Sequence, residues 1–343
     1  MKLNTLFIVL ACTLISCSGS RKEAAEKFSR RLLSHEVLFD DLGLGNPEHI
    51  LFQDNKLIVS KNLPEELILV YDLHSGNRTV KGQKGEGPGE IGNPWSIQSG
   101  NKSDEFWVAS VGQKALFRFK LSGDEALAEE QVKLKGESTV VMEPLPLGED
   151  KFIGTSLDGK SIFTVFNKEG SILKRLGDWS EKIDYGEYPN HVISALYEGR
   201  LRTNGSKVLY SCIALDRFML FDLATEEIQE FSGPFNIEPE FGTVPDRGVP
   251  VFAPSPDTKF GFIDSYISDH HIYLLYSGLS PREISKSGNM ANTILVYDLK
   301  GSLLNQFSLD VSLKAFSVDE RSNLIYGLTS YVNNDGKVVR FEF

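Results

Sequence analysis

Asp54-Asn55-Lys56-Leu57-Ile58-Val59, answered downstream by Tyr71-Asp72-Leu73-His74-Ser75-Gly76, is the stretch that decides the fold. A polar tight turn feeds a short β-branched run. An aromatic-led run then ends in a second turn closed by glycine. Each half is a strand bounded by turn residues, and neither carries a helical period. The first half returns as Ser103-Asp104-Glu105-Phe106-Trp107-Val108, Glu149-Asp150-Lys151-Phe152-Ile153-Gly154 and Gly205-Ser206-Lys207-Val208-Leu209-Tyr210. Two further copies are Asp269-His270-His271-Ile272-Tyr273-Leu274 and Arg321-Ser322-Asn323-Leu324-Ile325-Tyr326. Their first apolar residues stand at 57, 106, 152, 208, 272 and 324, spaced by 49, 46, 56, 64 and 52. The second half follows every copy, led by Tyr71, Phe119, Phe166, Phe221, Tyr297 and Phe341.

A period of this length, carrying two linked strands in fixed order, marks a repeat architecture. With strand A before the first element (Ile50-Leu51-Phe52) and strand D after the second (Ser171 to Leu176), each unit is a four-stranded antiparallel meander. The expectation is an all-β chain, a six-bladed β-propeller. The tryptophan–aspartate dipeptide of WD40 blades is missing. The sixth copy stops in strand C at Phe343, and a spare strand, Glu36 to Asp40, lies upstream of the first. That strand is expected to complete the last blade and close the ring, removing an unpaired edge. Only Arg21 to Leu33 carries a hint of helical period.

The N-terminus reads separately. Lys2 followed by the apolar run Leu6 to Leu14 is too short to span a bilayer and has the form of a signal peptide. Leu14-Ile15-Ser16-Cys17 resembles a bacterial lipobox, which makes Cys17 the lipid-bearing first residue of the mature chain. The expected domains are a signal peptide (1–16), a lipidated tether (17–34) and the propeller (35–343). Cys12 leaves with the signal and Cys17 is acylated, so Cys212 alone would remain as a thiol, set in an apolar run and read as buried and inert. No CxxC site, zinc cluster or intramolecular disulfide can be drawn from these positions.

The net charge of −11, with no Lys/Arg cluster above that background, disfavours nucleic acid as a partner. In a meander the A–B and C–D turns share one face of the disc, and the B–C and D–A links share the other. The long insertions, 180–195, 233–259 and 278–292, all fall on the B–C/D–A face. Function concentrates on loops displayed by a rigid scaffold, so this decorated face is the expected binding face. Its candidate ligand-binding residues are Glu90, Trp95, Tyr188, His191, Arg247 and Lys314.

Gly85-Glu86-Gly87-Pro88-Gly89-Glu90 lies on the same face. It could suggest a phosphate cradle, but Ile91-Gly92-Asn93-Pro94-Trp95 cannot open the helix such a cradle needs, and a structural turn is expected instead. Six repeats, the lipobox and this GxGPGE link before an Asn-Pro together resemble the TolB-like six-bladed propeller lipoproteins. The resemblance spans nearly all of the mature chain. It implies a lipid-anchored propeller in the envelope of a Gram-negative bacterium, and it implies no particular ligand.

Other chemistry is thin. Asp269-His270-His271 would place adjacent histidines on opposite faces of a strand, a poor metal site. There is no GxSxG elbow. The pairs Glu65-Glu66, Glu129-Glu130 and Glu226-Glu227 lie at turns, and Asp335-Gly336 lacks the ligands of a calcium loop. Trp95, Trp107 and Trp179 are expected mainly as packing between blades. The sequence therefore assigns no catalytic residue, no metal and no cofactor. It favours a non-catalytic binding or scaffold propeller at the outer membrane, facing the periplasm or the cell exterior, for a protein, peptide or glycan partner. The alternative is a lyase or hydrolase at the central channel mouth, to be recognised by His, Arg and carboxylate groups converging where the A strands begin.

Overall fold

The computed structural model describes residues 28–39, 47–60, 66–181, 185–330 and 336–343. The signal peptide, Cys17, Asp40, Glu65 and Asp335 lie outside the described residues, as do residues 182–184 of the first insertion.

Two strands come first, β1 (Ser29–Leu33) and β2 (His35–Phe39). Four antiparallel meanders follow. The first sheet is β3 (Ile50–Gln53), β4 (Lys56–Ser60), β5 (Glu66–Asp72) and β6 (Arg78–Gln83). The second is β7 (Ser96–Ser99), β8 (Glu105–Ser110), β9 (Ala115–Lys120) and β10 (Glu130–Lys133). The third is β11 (Val141–Pro146), β12 (Lys151–Ser156), β13 (Phe163–Asn167) and β14 (Ile172–Leu176). After the short helix α1 (Asn190–Leu196), the fourth is β15 (Gly199–Thr203), β16 (Lys207–Cys212), β17 (Arg217–Asp222) and β18 (Ile228–Ser232).

A hairpin, β19 (Phe241–Asp246) and β20 (Val249–Pro254), stands apart as a two-stranded sheet. The rest is one eight-stranded sheet. It contains β21 (Phe262–Ile267), β22 (His271–Tyr276), β23 (Ala291–Asp298), the 17-residue β24 (Leu303–Asp319), β25 (Leu324–Thr329) and β26 (Val338–Glu342), with β1 and β2 joined to them. Helix α2 (Pro281–Ser287) sits between β22 and β23. It starts with a capping box of Ser280 and Glu283 and ends at Gly288 in the left-handed region.

This is an all-β propeller fold. Radial packing explains the burial of each meander. In the second sheet, β8 is buried at all six positions because both of its faces meet neighbouring sheets, whereas the outermost strand of the third, β14, is largely open to solvent. Aromatic pairs bridge sheet to sheet: Trp107 with Phe152 at 5.3 Å, Phe163 with Tyr210 at 5.8 Å, Phe218 with Phe262 at 6.3 Å and Phe52 with Tyr326 at 5.2 Å. Trp179 is fully buried and donates to the Ser161 carbonyl. Cys212 is buried in β16.

The N-terminal segment differs from the sequence expectation in one respect. The hint of helix reaching Leu33 gives way to β1, which runs parallel to β24, Ser29 opposite Asn305 and Leu33 opposite Leu309. The open edge of β24 supplies backbone partners that no local period can register. Within the segment read as tether, residues 29–33 are thus strand. Next in the chain, β2 pairs antiparallel with β26, His35 opposite Phe341 and Val37 opposite Val339.

Candidate functional site

The innermost strands, β3, β7, β11, β15, β21 and the second half of β24, bring their A–B turns around a common axis. Between those turns opens a cavity of about 1240 Å³. Its wall includes Gln53 to Asn55, Ser99 to Ser103, Leu147, Asn204, Ser268 to His271 and Asp319 to Asn323, and its floor includes Gln98, Arg202, Ser265 and Ser317. This funnel lies on the A–B/C–D face, opposite the decorated one.

The rim is latched from sheet to sheet. Gln53 Nε2 donates to the carbonyls of Ser103 (3.0 Å) and Glu105 (2.7 Å) in the next meander. Asn101 Nδ2 donates to Gly148 O at 2.6 Å, and Asn204 Nδ2 to Ser268 O at 2.8 Å. These turn amides therefore tie the rim of one meander to the next. One wall is aromatic and acidic. Tyr266 meets Tyr273 edge-on at 6.1 Å, and Glu320 accepts from Tyr273 Oη at 2.8 Å and lies 2.9 Å from His271 Nδ1. Burial and the carboxylates of Glu320, Asp319 and Asp269 push the Tyr266 hydroxyl up to about 12. Burial works against the charge of Glu320, yet hydrogen bonds from Ser268, His271 and Tyr273 hold its carboxyl below the usual range.

The floor is polar. Gln98 Nε2 reaches from β7 to the Leu201 carbonyl of β15 at 3.0 Å. Arg202 donates through Nη2 to Asp264 Oδ1 (2.6 Å) and through Nε to Ser265 O (3.0 Å). Asp264 Oδ2 in turn accepts from Phe316 N at 3.0 Å.

Beyond the floor, where the inner strands begin, a second set of charges converges. Glu143 Oε1 accepts from Trp95 Nε1 at 2.9 Å and from Arg200 Nη1 at 2.8 Å, so three meanders meet at one carboxylate. Glu143 is 3% exposed and sits at φ +49° where the β11–β12 register breaks. An L-residue there carries backbone strain, a feature that gathers at functional sites. Burial opposes the charge of Arg200, and Glu143 with Asp264 more than restores it. Half-buried His49 is pushed down to about 3 by burial and by the charges of Arg200, Arg202 and Lys314, so its imidazole is neutral at physiological pH. The Lys314 side chain is 7% exposed, lies 3.5 Å from Glu48 and is lowered by burial.

The six residues expected on the decorated face are spread over three places. Trp95 and Lys314 belong to the axial cluster. Glu90 braces its own loop, its carboxylate accepting from Gly87 N (2.8 Å) and Gln83 Nε2 (3.1 Å). A Cβ on Gly85 would stand 1.9 Å from that carboxylate, and Gly89 adopts φ +76°, which accounts for two of the motif's glycines. Tyr188 packs on Phe241 at 4.9 Å, and His191 Nε2 lies 2.7 Å from Pro250 O, so both hold the hairpin against α1. Arg247 is at the hairpin tip with φ +51°, followed by Gly248 at +84°, the backbone of a two-residue type I′ turn.

Sequence reasoning missed His49, Gln98, Glu143, Arg200, Arg202 and Asp264. The available clue was a charge inside an apolar inner strand, as in Val141-Met142-Glu143 and Phe262-Ile263-Asp264, where burial demands a partner. Among the described residues no group of three His, Cys, Asp or Glu side chains is arranged to hold a metal ion, and no helix is long and apolar enough to cross a membrane.

Comparison with solved structures returns this architecture. A Bacteroides vulgatus protein of the DUF4221 family aligns with a TM-score of 0.57 at 11% identity, over 91% of this chain and 97% of that one. A Bacteroides fragilis protein, whose name proposes that it is exported, aligns with a TM-score of 0.53 at 12% identity, over 92% and 98%. Regucalcin of Agrobacterium tumefaciens, a calcium-binding protein, gives 0.50 at 11% identity, over 91% and 95%. At such identities the likeness is one of fold. No curated protein matches the chain. The family described as TolB-like 6-blade propeller-like matches residues 27–321.

Proposed function

Since the chain belongs to the TolB-like six-bladed propeller family, we propose that it is a ligand-binding propeller of the bacterial cell envelope, lipid-anchored through Cys17, with its ligand seated in the axial funnel. The eight-stranded sheet counts as the fifth and sixth blades, continuous through β24. Closure of the ring is supported by β2 on β26, by Phe52 N donating to Ser317 Oγ at 2.9 Å, and by the stacking of Phe52 on Tyr326.

The observation that carries this reading is the funnel itself, a concavity of about 1240 Å³ with a polar floor and an aromatic, acidic wall. The funnel is wider and more polar than the ordinary small-molecule pocket of about 300–1,000 Å³, which suits an extended polar ligand. Amide and hydroxyl groups at the rim and the tyrosine wall suit a polar ligand, a glycan or a peptide segment. The test is an array of bacterial and host oligosaccharides and of peptides, probed with the protein and with Ser99→Trp, whose indole would project into the funnel. Binding by the first and not the second supports the reading. Retention of every hit by the filled funnel would refute it.

One observation favours a second reading. Trp95, Glu143 and Arg200 converge at the channel mouth with His49 and Lys314 nearby, the arrangement expected of an enzyme there. Turnover on a panel of chromogenic glycosides and esters, abolished in a folded Glu143→Gln variant, would move the reading to catalysis.

A further inference from the structure

We infer that the funnel opens toward the membrane that carries the chain, so that its ligand is met at that membrane's surface. This rests on the reading of Cys17 as the lipid anchor. The direction comes from strand register. His271, in the funnel wall, pairs with Asp298, where β23 ends in the tight turn closed by Gly301 N to Asp298 O. That turn is therefore on the funnel face. β24 leaves it at Leu303, and β1 runs parallel, Ser29 beside Asn305 and Leu33 beside Leu309. The Ser29 end of β1 is thus its funnel-face end, with Phe28 preceding it there.

The strap is fixed where it lands. Leu33 is buried, the Arg31 guanidinium lies 6.0 Å from the Phe307 ring centroid, and His35 N donates to Asp310 Oδ1 at 3.1 Å. Eleven residues lie between Cys17 and Ser29, twelve chain steps that reach about 40 Å at full extension. β1 lies four strand spacings from β21, about 19 Å. Presenting the decorated face instead would require the tether to double back around the disc edge.

Charge argues the same way. The whole-chain charge passes over a local excess: residues 18–31 hold five Lys or Arg (Arg21, Lys22, Lys27, Arg30, Arg31) against Glu23 and Glu26, in a chain of net charge −11. Arg30 and Arg31 are exposed on β1, beside Leu32 at 73% exposure. A basic segment of this kind is drawn to anionic headgroups close to the membrane surface. The decorated face, by contrast, carries α1, α2 and the hairpin.

The experiment uses the full lipidated protein on phosphatidylethanolamine/phosphatidylglycerol vesicles containing an acceptor-labelled lipid. A donor fluorophore is placed at Ser103→Cys on the funnel rim or at Ser285→Cys on α2. Energy transfer several-fold stronger from position 103 is expected, and charge reversal of Arg30 and Arg31 to Glu should narrow the difference while the protein still floats with the vesicles. Equal transfer, or stronger transfer from position 285, in protein that floats overturns the orientation alone. Failure of the wild-type chain to float, with Cys17→Ser behaving identically, overturns the anchor and the orientation with it.

Discussion

Gln98 donates its side-chain amide to the carbonyl of Leu201 at 3.0 Å, tying the inner strand of the second meander to that of the fourth. The bond passes the third meander altogether, which is possible only near the axis. Leu201 O also accepts from Arg202 Nη1 at 2.9 Å, so Gln98→Ala leaves no orphaned acceptor. The expected loss is about 1 kcal/mol, read from the urea midpoint at unchanged slope.

Glu143 combines a positive φ with two charge-assisted partners, and substitutions can separate these effects. Glu143→Ala leaves Arg200 without its partner and keeps the strain, with an expected cost of about 2–4 kcal/mol. Glu143→Gly loses the same carboxylate but relaxes the backbone, and should be the more stable of the two by about 1 kcal/mol. Chemical denaturation of both variants decides it. An alanine variant as stable as the glycine one would mean that the φ stores no strain.

The pH dependence follows from His49. Its folded pKa, about 3, lies below that of the unfolded chain, near 6.5. Above pH 6.5 neither state takes up a proton, so stability is fully present. As pH falls from 6.5 toward 3 the unfolded state binds more protons and stability drops, by at most about 1.4 kcal/mol per pH unit. Asp72 and Asp222, both held near 2, add their own losses at lower pH, as it falls through the ordinary carboxylate range toward 2. Melting temperatures between pH 7 and 5 should decline in the wild type and stay flatter in His49→Gln.

Removing residues 28–39 deletes β1 and β2 and exposes β26, whose Phe341 is 1% accessible. An open sheet edge pairs with other chains. The truncated protein should lose stability and scatter light at micromolar concentration. Folding as a soluble monomer of unchanged midpoint would argue against closure by the N-terminal strand.

The meanders were legible because each turn and strand pair is written locally. Asp54-Asn55, both at positive φ, and the strand Leu57-Ile58-Val59 announce themselves without help from the rest of the chain. The strap was not legible. Ser29 to Leu33 becomes strand because β24 offers an edge, a fact of tertiary structure. Loop length indicated the decorated face, and there Tyr188 and His191 are occupied in holding the hairpin to α1. The funnel escaped notice because Gln53, Asn101 and Asn204 look like ordinary turn residues until their partners in the next meander are known. The axial charges were visible as isolated ions in apolar strands, but which ion meets which depends on how the six inner strands surround the axis.

The most direct test of the central claim is calorimetric titration of the oligosaccharide or peptide selected by the array into three proteins: wild type, Ser99→Trp, and a form with residues 278–292 shortened. The account predicts saturable binding to the wild type, its loss in Ser99→Trp at an unchanged melting temperature, and its retention when the decorated loop is shortened. Binding that survives the filled funnel and disappears with the loop would contradict it and return the site to the opposite face.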